Sequence, residues 1–266
     1  MENSQTKEIR ATLLATAGVI VETVGIRLMI DGLFGKDGHP FSVVPQPLMD
    51  NLLQGFEPFG TIDYLLFTHL HPDHFGSGEA IAYLRDNTVR GVFLPVDESE
   101  EKLRRAGNGL RQWMDAHNVP FRPLSMPIGS HGRYDMEPGV ALTTFNTGHM
   151  GPQYAHISNY CLLLTLGGKT LLFTGDADFL DDSFAGALNG CKVDAVFINP
   201  LFYQNPRGRA ILDTVIRPRQ VILYHIPFEE DDAFMMRPMV RYQMGRYKSD
   251  TYTVTALTEP NQQVVL

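Results

Sequence analysis

Four apolar runs in this chain each end at a side chain that can bind a metal ion. The runs and the residues that follow them read DYLLFTHLHPDH, VALTTFNTGH, TLLFTGD and VILYH. Short apolar runs bounded by turn-forming residues predict buried β-strands. In α/β proteins, residues at the carboxyl ends of strands collect at one crevice. The chain must therefore adopt a fold that brings several strand ends together.

The first of these strand ends carries the densest cluster of polar side chains. His69, His71, Asp73 and His74 lie within six positions, directly after the predicted strand. A single histidine is more often a structural residue than a ligand. Five of the nine histidines in this chain, however, belong to the set of strand ends. The pattern therefore predicts a metal site, since imidazole and carboxylate are common ligands of divalent metals.

The other segments predict a mixture of strands and helices. Residues 12–31 read as an antiparallel meander turned at glycines, and Gly167-Gly168 predicts a hairpin between two apolar runs. Helices are predicted over 47–53, 77–85, 98–117, 181–189, 208–217 and 229–246, the last kinked or divided at Pro238. The Gly- and Pro-rich segment 33–60 is a candidate binding loop or lid. In that segment His39 and Phe41 are either pocket residues or surface packing residues.

Composition excludes several classes of protein. With 266 residues and 44% hydrophobic residues, we expect one domain over 1–266. The formal charge of −8 argues against a nucleic-acid partner, which would require a broad basic face. Cys161 and Cys191 are too few for a disulfide scaffold and form no Cys-x-x-Cys motif. No membrane-spanning run and no secretory signal is recognisable, so we expect a cytoplasmic protein with no membrane partner.

The strand-end motifs resemble those of the metallo-β-lactamase fold hydrolases. The resemblance rests on HLHPDH at 69–74, TGHM with His149, TGDAD with Asp176, YHIP with His225, and MIDG with Asp31. It spans positions 12–226 and keeps the family's order of motifs. The fold it implies is a four-layer αββα sandwich of the α/β (α+β) class, with two mixed β-sheets flanked by helices.

The resemblance also implies a dinuclear site in which every motif takes part. His69, His71 and His149 would hold one metal, and Asp73, His74 and His225 the other, with Asp176 between them. The ions would be Zn²⁺, with Mn²⁺ or Fe²⁺ as alternatives. A hydroxide activated by both metals would then cleave an ester, lactone or phosphodiester bond, and Asp73 would also handle a proton. Because the two ions make the site positive, the expected substrate is small and anionic.

Within this family the chain looks most like the cytoplasmic branch that contains ascorbate-6-phosphate lactonase-like and phospholipase D-like enzymes, through GVIVET, SNYCLLL and TLLFTGDAD. Two alternatives stay open. One is a protein of the same fold that keeps its metals and binds or senses a ligand without turnover. The other is a di-iron redox member, but that branch replaces the second histidine of the motif with an acidic residue, and this chain keeps His71.

Several further polar residues are candidates for contacts with the ligands or the substrate. Asp31 follows a strand and either supports the site or caps a turn. His156 is a candidate for contact with the substrate or a leaving group, with a structural histidine as the alternative, and Asp178 either orients a ligand or caps a helix. Arg207 and Arg209 are either phosphate-binding residues or surface residues. A small molecule is the expected partner, and a homo-oligomer is left open.

Overall fold

The computed structural model describes residues 8–96 and 98–266. Its strands are β1 (Arg10–Leu13), β2 (Val19–Thr23), β3 (Ile26–Ile30), β4 (Tyr64–Leu66), β5 (Gly91–Pro95), β6 (Phe121–Leu124), β7 (His131–Glu137), β8 (Val140–Asn146), β9 (Tyr160–Leu166), β10 (Lys169–Phe173), β11 (Ala195–Ile198), β12 (Gln220–Leu223), β13 (Thr253–Ala256) and β14 (Gln263–Val265). The α-helices are α1 (Gln46–Leu53), α2 (Ser77–Asp86), α3 (Glu101–Ala116), α4 (Asp181–Leu188), α5 (Pro200–Gln204), α6 (Pro206–Ile211) and α7 (Met236–Arg246).

The strands form two seven-stranded sheets with the same pattern of pairing. The first has the order β14-β1-β2-β3-β4-β5-β6 and the second the order β13-β12-β11-β10-β9-β8-β7. In the first sheet the pairs from β14 to β3 are antiparallel and those from β3 to β6 are parallel. In the second sheet the pairs from β7 to β10 are antiparallel and those from β10 to β13 are parallel. Both sheets are mixed, and the predicted sandwich is confirmed.

Side chains alternate along the central strands between two apolar layers. In β9, Leu162 and Leu164 belong to the core that also contains Val19 and Val21 of β2, so this core lies between the sheets. The intervening Leu163 packs instead with helical residues on the outer face of the second sheet. Strands buried on both faces read as continuous apolar runs, which is why YCLLLTL shows no polar alternation.

The outer face of the first sheet is covered by α1, α2 and α3. Helix α3 is charged overall, yet Leu103, Leu110 and Met114 are buried on one face. They pack in one apolar cluster with Val92 and Leu94 of β5. Burial of an aliphatic side chain of this size contributes about 1.5–3 kcal/mol. The helix is therefore held by its apolar stripe rather than by its intrinsic propensity.

The helix predicted over 229–246 is divided, but the division lies before Pro238 and not at it, because α7 begins only at Met236. Residues 229–231 form a separate 3₁₀ turn, and Asp232 accepts hydrogen bonds from the backbone N–H groups of Met236 (2.7 Å) and Arg237 (2.9 Å). Asp232 thus satisfies two of the N–H groups in the first turn of the helix, although the N-cap residue is Met235. Pro238 falls in the first turn, where backbone N–H groups have no partner within the helix, so proline is tolerated.

The remaining differences concern short elements. The helix predicted over 208–217 is α6 followed by a π-helical turn at Leu212–Ile216. Helix α5 and strand β14, which pairs with β1, were not predicted. The expectation of one domain over 1–266 includes residues 1–7, which lie outside the described residues, and it stays a prediction. Among the helices that the structure describes, none is long and apolar enough to cross a membrane.

Candidate metal centre

The predicted ligands come from loops that follow strands of both sheets. His69, His71, Asp73 and His74 follow β4 of the first sheet, whereas His149, Asp176 and His225 follow β8, β10 and β12 of the second. Backbone hydrogen bonds near the strand ends hold these loops in place. The His225 N–H donates to the carbonyl of Thr16 (2.8 Å), and the Thr68 carbonyl accepts from the N–H of Tyr160 (2.8 Å), which links the two sheets at this edge.

The structure brings all seven side chains together. Possible ligand atoms lie within 4.8 Å of one another in three groups: His69, His71 and His149; His69, His74 and Asp176; and Asp73, His74 and His225. The first and third groups are the two triads that the family resemblance implies, and Asp176 is close to members of both. That these residues bind metals stays a prediction.

The unpaired atoms of this cluster fit metal ions. The Nε2 atoms of His69 and His149 are buried and have no hydrogen-bond partner. The Nε2 atoms of His74 and His225 face each other at 2.9 Å. Buried polar groups without partners cost free energy, and converging imidazole nitrogens with two carboxylates are a donor set suited to zinc. The residues present therefore fit the two ions that the fold family implies.

A second layer of contacts orients the imidazoles. Asp31 Oδ2 lies 3.0 Å from His74 Nδ1, and Asp31 also accepts from the Thr68 N–H (2.8 Å) and hydroxyl (2.6 Å). The Met150 carbonyl lies 2.8 Å from His149 Nδ1. With the hydrogen held on Nδ1, each Nε2 is free to bind a metal. Asp31 therefore orients His74 through this contact and is not one of the seven clustered side chains.

Asn199 contacts the cluster, and sequence reasoning missed it. Its amide nitrogen donates to Asp176 Oδ1 at 2.7 Å, while its carbonyl oxygen accepts from the N–H of Leu201 and caps α5. The cap fixes the orientation of the amide, so the donor always faces Asp176. The sequence indicates the helix cap, because Asn followed by Pro marks a helix start, but it does not indicate the contact with Asp176.

Gly175 permits the backbone geometry that carries Asp176. Its φ is +55°, and a Cβ atom there would lie 2.6 Å from Asn159 Oδ1. That oxygen accepts the N–H of Asp176 at 2.9 Å, while the Asn159 amide donates to the Thr174 carbonyl at 2.9 Å. Any larger residue would push Asn159 away. The glycine in TGD thus keeps Asp176 in place.

Burial keeps two of the histidines neutral. Burial, together with the neighbouring His149, lowers the pKa of His71 to about 4. Burial lowers the pKa of His69 well below its usual value, and His74 and His71 add to the effect. Neutral imidazole is the form that binds metals, so both rings are ready to coordinate at neutral pH.

In the other half of the cluster, carboxylates favour a positive charge on His74, and histidines favour the ionised form of Asp73. Burial lowers the pKa of His74, but the hydrogen bond to Asp31 and the charges of Asp73, Asp31 and Asp176 outweigh it and raise the pKa to about 9. Burial raises the pKa of Asp73, yet the hydrogen bond to His225 and the charge of His74 bring it to about 2. A position that holds a proton this firmly also attracts a metal cation.

A cavity of about 790 Å³ opens beside the cluster. His71, Asp73, His149, Asp176 and His225 contribute to its wall. The rest of the wall is largely apolar and comes from the 33–60 segment, the loops after β8 and β10, and the stretch from α5 to α7; it includes Phe41, Met150, Tyr154, Phe179, Leu201, Phe234, Met236 and Met239. The volume suits a small organic molecule.

Of the remaining candidate residues, His156, Asp178 and His39 do not belong to the cavity wall as the described residues define it. His156 is exposed, with Nε2 3.8 Å from Glu100 Oε2, and Asp178 accepts from the N–H of Phe179. Phe41 lines the cavity and packs edge-on against His225, whereas His39 binds the Gly35 carbonyl. Of the two alternatives in segment 33–60, Phe41 is the pocket residue.

The two candidate arginines do not reach the cavity wall. Arg209 donates to the carbonyl oxygen of Tyr203 and lies 3.7 Å over the ring of Tyr247. Arg207 is exposed on α6. Both fit the interpretation as surface residues.

Comparisons with known proteins agree with this geometry. The model of the metallo-beta-lactamase superfamily matches residues 52–199. The UPF0173 metal-dependent hydrolase of Carboxydothermus hydrogenoformans is 26% identical over 227 residues, covering 82% of this chain and 84% of the relative. That of Bacillus pumilus is 25% identical over 233 residues, covering 84% and 89%.

A similar fold is seen in the metallo-beta-lactamase fold protein YhfI from Bacillus subtilis. Its TM-score is 0.61 at 15% identity, and the match covers 97% of this chain and 99% of YhfI. The matched family region contains the strands that carry His69 to His74, His149 and Asp176. Because that region makes up more than half of the 266 residues, the chain belongs to the metallo-beta-lactamase superfamily.

Proposed function

We propose that this protein is a metal-dependent hydrolase whose seven clustered side chains hold two divalent ions. The observation that carries the proposal is the convergence of five imidazoles and two carboxylates beside a cavity, in which the buried Nε2 atoms of His69 and His149 make no hydrogen bond. Relatives that carry the name metal-dependent hydrolase support it. The bonds that such a site would cleave are those of esters, lactones or phosphodiesters.

His69, His71 and His149 would hold one ion and Asp73, His74 and His225 the other, with Asp176 shared. Zn²⁺ suits this donor set best, and Mn²⁺ or Fe²⁺ are the alternatives. When bound, a metal pair polarises the scissile bond and lowers the pKa of water from 15.7 toward about 7. Counting charges, two ions and two carboxylates leave the site at about +2, which stabilises a developing oxyanion.

The chain itself would orient the reaction and manage its protons. Asp73 lines the cavity, and its Oδ2 lies 3.3 Å from His225 Nε2, so it stands where a proton can be taken up or released next to the substrate. Asn199 holds one oxygen of Asp176, which leaves the other oxygen directed at the cluster. The apolar wall excludes competing water from a bound substrate.

The rest of the proposal concerns the cell. We propose a cytoplasmic, single-domain protein that acts on a small molecule, with no nucleic-acid or membrane partner. The negative formal charge of −8 supports the absence of a nucleic-acid partner. A homo-oligomer remains compatible with these features.

Metal analysis and turnover test the proposal together. Purified protein loaded with Zn²⁺ should contain about two equivalents per chain and should cleave at least one member of a panel of esters, lactones and phosphodiesters. His71→Ala and Asp176→Ala should abolish turnover and lower the metal content without unfolding the chain. His117→Ala, a histidine outside the cluster, is the matched control and should match the wild type.

Each negative result would refute a different part of the proposal. Less than one equivalent of metal, with all ligands intact, would refute the dinuclear site. Two equivalents without turnover on the whole panel would favour a binding or sensing protein. Two iron ions that change oxidation state with a substrate would favour the redox alternative.

A further inference from the structure

We infer that the substrate is an uncharged carboxylic ester or lactone with an apolar alkyl or aryl group, and that Phe234, Leu201 and Met239 select it. The inference rests on the proposed hydrolase function. It departs from the expectation of an anionic substrate, which followed from the charge of the metals alone. The observations that carry it concern the cavity wall away from the metal-binding residues.

Away from the metal-binding cluster, the cavity offers no cation to an anionic group of the substrate. Among the described residues, no lysine or arginine lines it. Of the cations close to the lining residues in sequence, Lys36 pairs with Asp231 (2.8 Å), and Arg237 binds the Thr258 carbonyl (2.8 Å) and Glu259. Arg207, which follows the lining residue Pro206, is exposed on α6 and does not line the cavity. A phosphate or carboxylate remote from the metals would therefore be desolvated without a counter-charge, which is costly.

Instead the wall is built from large apolar side chains. Met236 and Met239 project from α7, Phe179 follows β10, and Leu201 lies in α5. Methionine adapts its shape to different apolar groups. Outside the metal-binding cluster, the hydrogen-bonding side chains of the wall are uncharged: the Tyr154 hydroxyl and the carboxamides of Gln153, Asn199, Gln204 and Asn205. Asn199 already uses both of its ends. The wall can thus recognise the shape of an apolar group but cannot neutralise a charge.

The rim of the cavity is apolar and exposed. Phe234 is 64% exposed, Leu201 45% and Tyr154 40%, and all three line the cavity. Exposed apolar patches beside a cavity mark binding surfaces. A ligand that covers these side chains gains about 25 cal/mol for each Å² of apolar surface buried. An alkyl or aryl group at the rim gains this free energy, whereas a charged group does not.

The reaction balances without any further reactant. Water oxygen forms a bond to the acyl carbon, and the bond between that carbon and the alcohol oxygen breaks. The alcohol oxygen takes up one proton from the water, and the carboxylic acid releases its proton to solvent. No electron donor or acceptor is needed. The uncharged ester enters the apolar cavity without the desolvation cost that a phosphodiester anion would meet.

Matched substrates test the inference. Ethyl hexanoate and ethyl 6-sulfonatohexanoate differ only at the end remote from the ester, and sulfonate is a poor ligand for divalent transition metals. With Zn²⁺-loaded protein we expect kcat/KM for ethyl hexanoate to be at least about 100-fold higher, a lower bound because burying an unpaired charge costs more than burying an unpaired polar group. Values within threefold of each other, or faster cleavage of bis(4-nitrophenyl) phosphate, would overturn the inference and leave the hydrolase function standing.

Substitutions at the rim of the cavity provide a second test. Phe234→Arg places a cation on the wall and should raise kcat/KM for the sulfonated ester about 10-fold while lowering that for ethyl hexanoate. Tyr242→Arg is the matched control, because Tyr242 is also 64% exposed but does not line the cavity. It should change neither value. Equal effects of the two substitutions would refute selection at the rim.

Equilibrium binding separates the inference from the hydrolase function. By calorimetry, hexanamide should bind the Zn²⁺-loaded protein at least about 10-fold more tightly than 6-sulfonatohexanamide, since neither is an ester. If no ester is cleaved but this preference holds, hydrolysis is refuted and the selectivity of the cavity is supported. If the sulfonated amide binds as well, the inference fails whatever the activity.

Discussion

Asn199 and Asn205 begin consecutive helices in the same way, and comparing them isolates the contact between Asn199 and Asp176. Each precedes a proline and accepts a hydrogen bond at 2.9 Å from the N–H two residues later. Only Asn199 also donates to Asp176. We expect Asn199→Ala to weaken metal binding about 10–100-fold, the usual effect of losing a contact that orients a ligand.

A chelator competition assay measures this affinity, with Asn205→Ala as the control. Both substitutions should lose about 1 kcal/mol of helix-cap stability, but only Asn199→Ala should lose metal affinity. Asn199→Asp keeps the cap and places a carboxylate against Asp176, so its affinity should also fall. Equal affinities in Asn199→Ala and Asn205→Ala would show that the contact with Asp176 is incidental.

Asp31 makes a second prediction at this scale. Its carboxylate accepts from the Thr68 N–H, the Thr68 hydroxyl and His74 Nδ1. In Asp31→Asn, one oxygen becomes an amide that donates hydrogen bonds, so at least one of these contacts is lost. We expect a loss of metal affinity of about 10–100-fold, measured by the same competition assay. Unchanged affinity would mean that Asp31 serves only the turn, the alternative interpretation from the sequence.

The residues that could be predicted from the sequence are those with a local signal. Each predicted ligand stands directly after an apolar run, so its position needed no tertiary information. Asn199 shows its helix cap locally, but its bond to Asp176 depends on the pairing of β10 with β11. Phe234 and Met239 also line the cavity through tertiary packing, which the sequence does not show.

At the scale of elements, the double burial of the central strands gives a quantitative prediction. Leu164 in β9 is fully buried between the sheets. Leu164→Ala should lower the free energy of unfolding by about 2–5 kcal/mol, because a cavity remains between two rigid sheets. Val265→Ala on the exposed β14 edge, where Val265 is 55% exposed, should stay within about 0.5 kcal/mol of the wild type. Chemical denaturation measures both, and a loss below about 1 kcal/mol for Leu164→Ala would contradict the tight packing.

Elements with a strong apolar, periodic or turn signal were predictable, even the three-residue strand β4, whereas strand β14 and helix α5 were not. The meander at 12–31 and the Gly167-Gly168 hairpin agree with β1 to β3 and with β9-β10. Strand β14 is three residues long and is held by its pairing with β1, which lies at the opposite end of the chain. The predicted start of α7 was wrong because the acidic residues at 229–232 are typical of the first turn of a helix, where they interact favourably with its dipole. The contacts of the Asp232 side chain accompany the separation of the 3₁₀ turn at 229–231 from α7, and the sequence does not show these contacts.

For the whole molecule, the important fact is that the predicted ligands belong to both sheets. His69 to His74 come from the first sheet, and His149, Asp176 and His225 come from the second. A metal ion bound to both sets links the two halves of the sandwich at this edge. Unfolding would have to break every one of these bonds. Metal binding should therefore stabilise the entire fold, since ligands that bind only the folded state shift the unfolding equilibrium.

Removing the metals should consequently lower the melting temperature of the whole chain. With free Zn²⁺ at about 100 times its dissociation constant, one site contributes about 2.7 kcal/mol. At about 2–4 °C per kcal/mol for a chain of this size, we expect chelation to lower Tm by about 5–10 °C, with recovery when Zn²⁺ is restored. Differential scanning calorimetry measures the shift. His71→Ala should lose most of it, while His117→Ala should keep it, because His117 lies outside the cluster and binds the Trp113 carbonyl. A wild-type shift below about 1 °C would mean that the imidazoles do not hold metal tightly enough to connect the sheets.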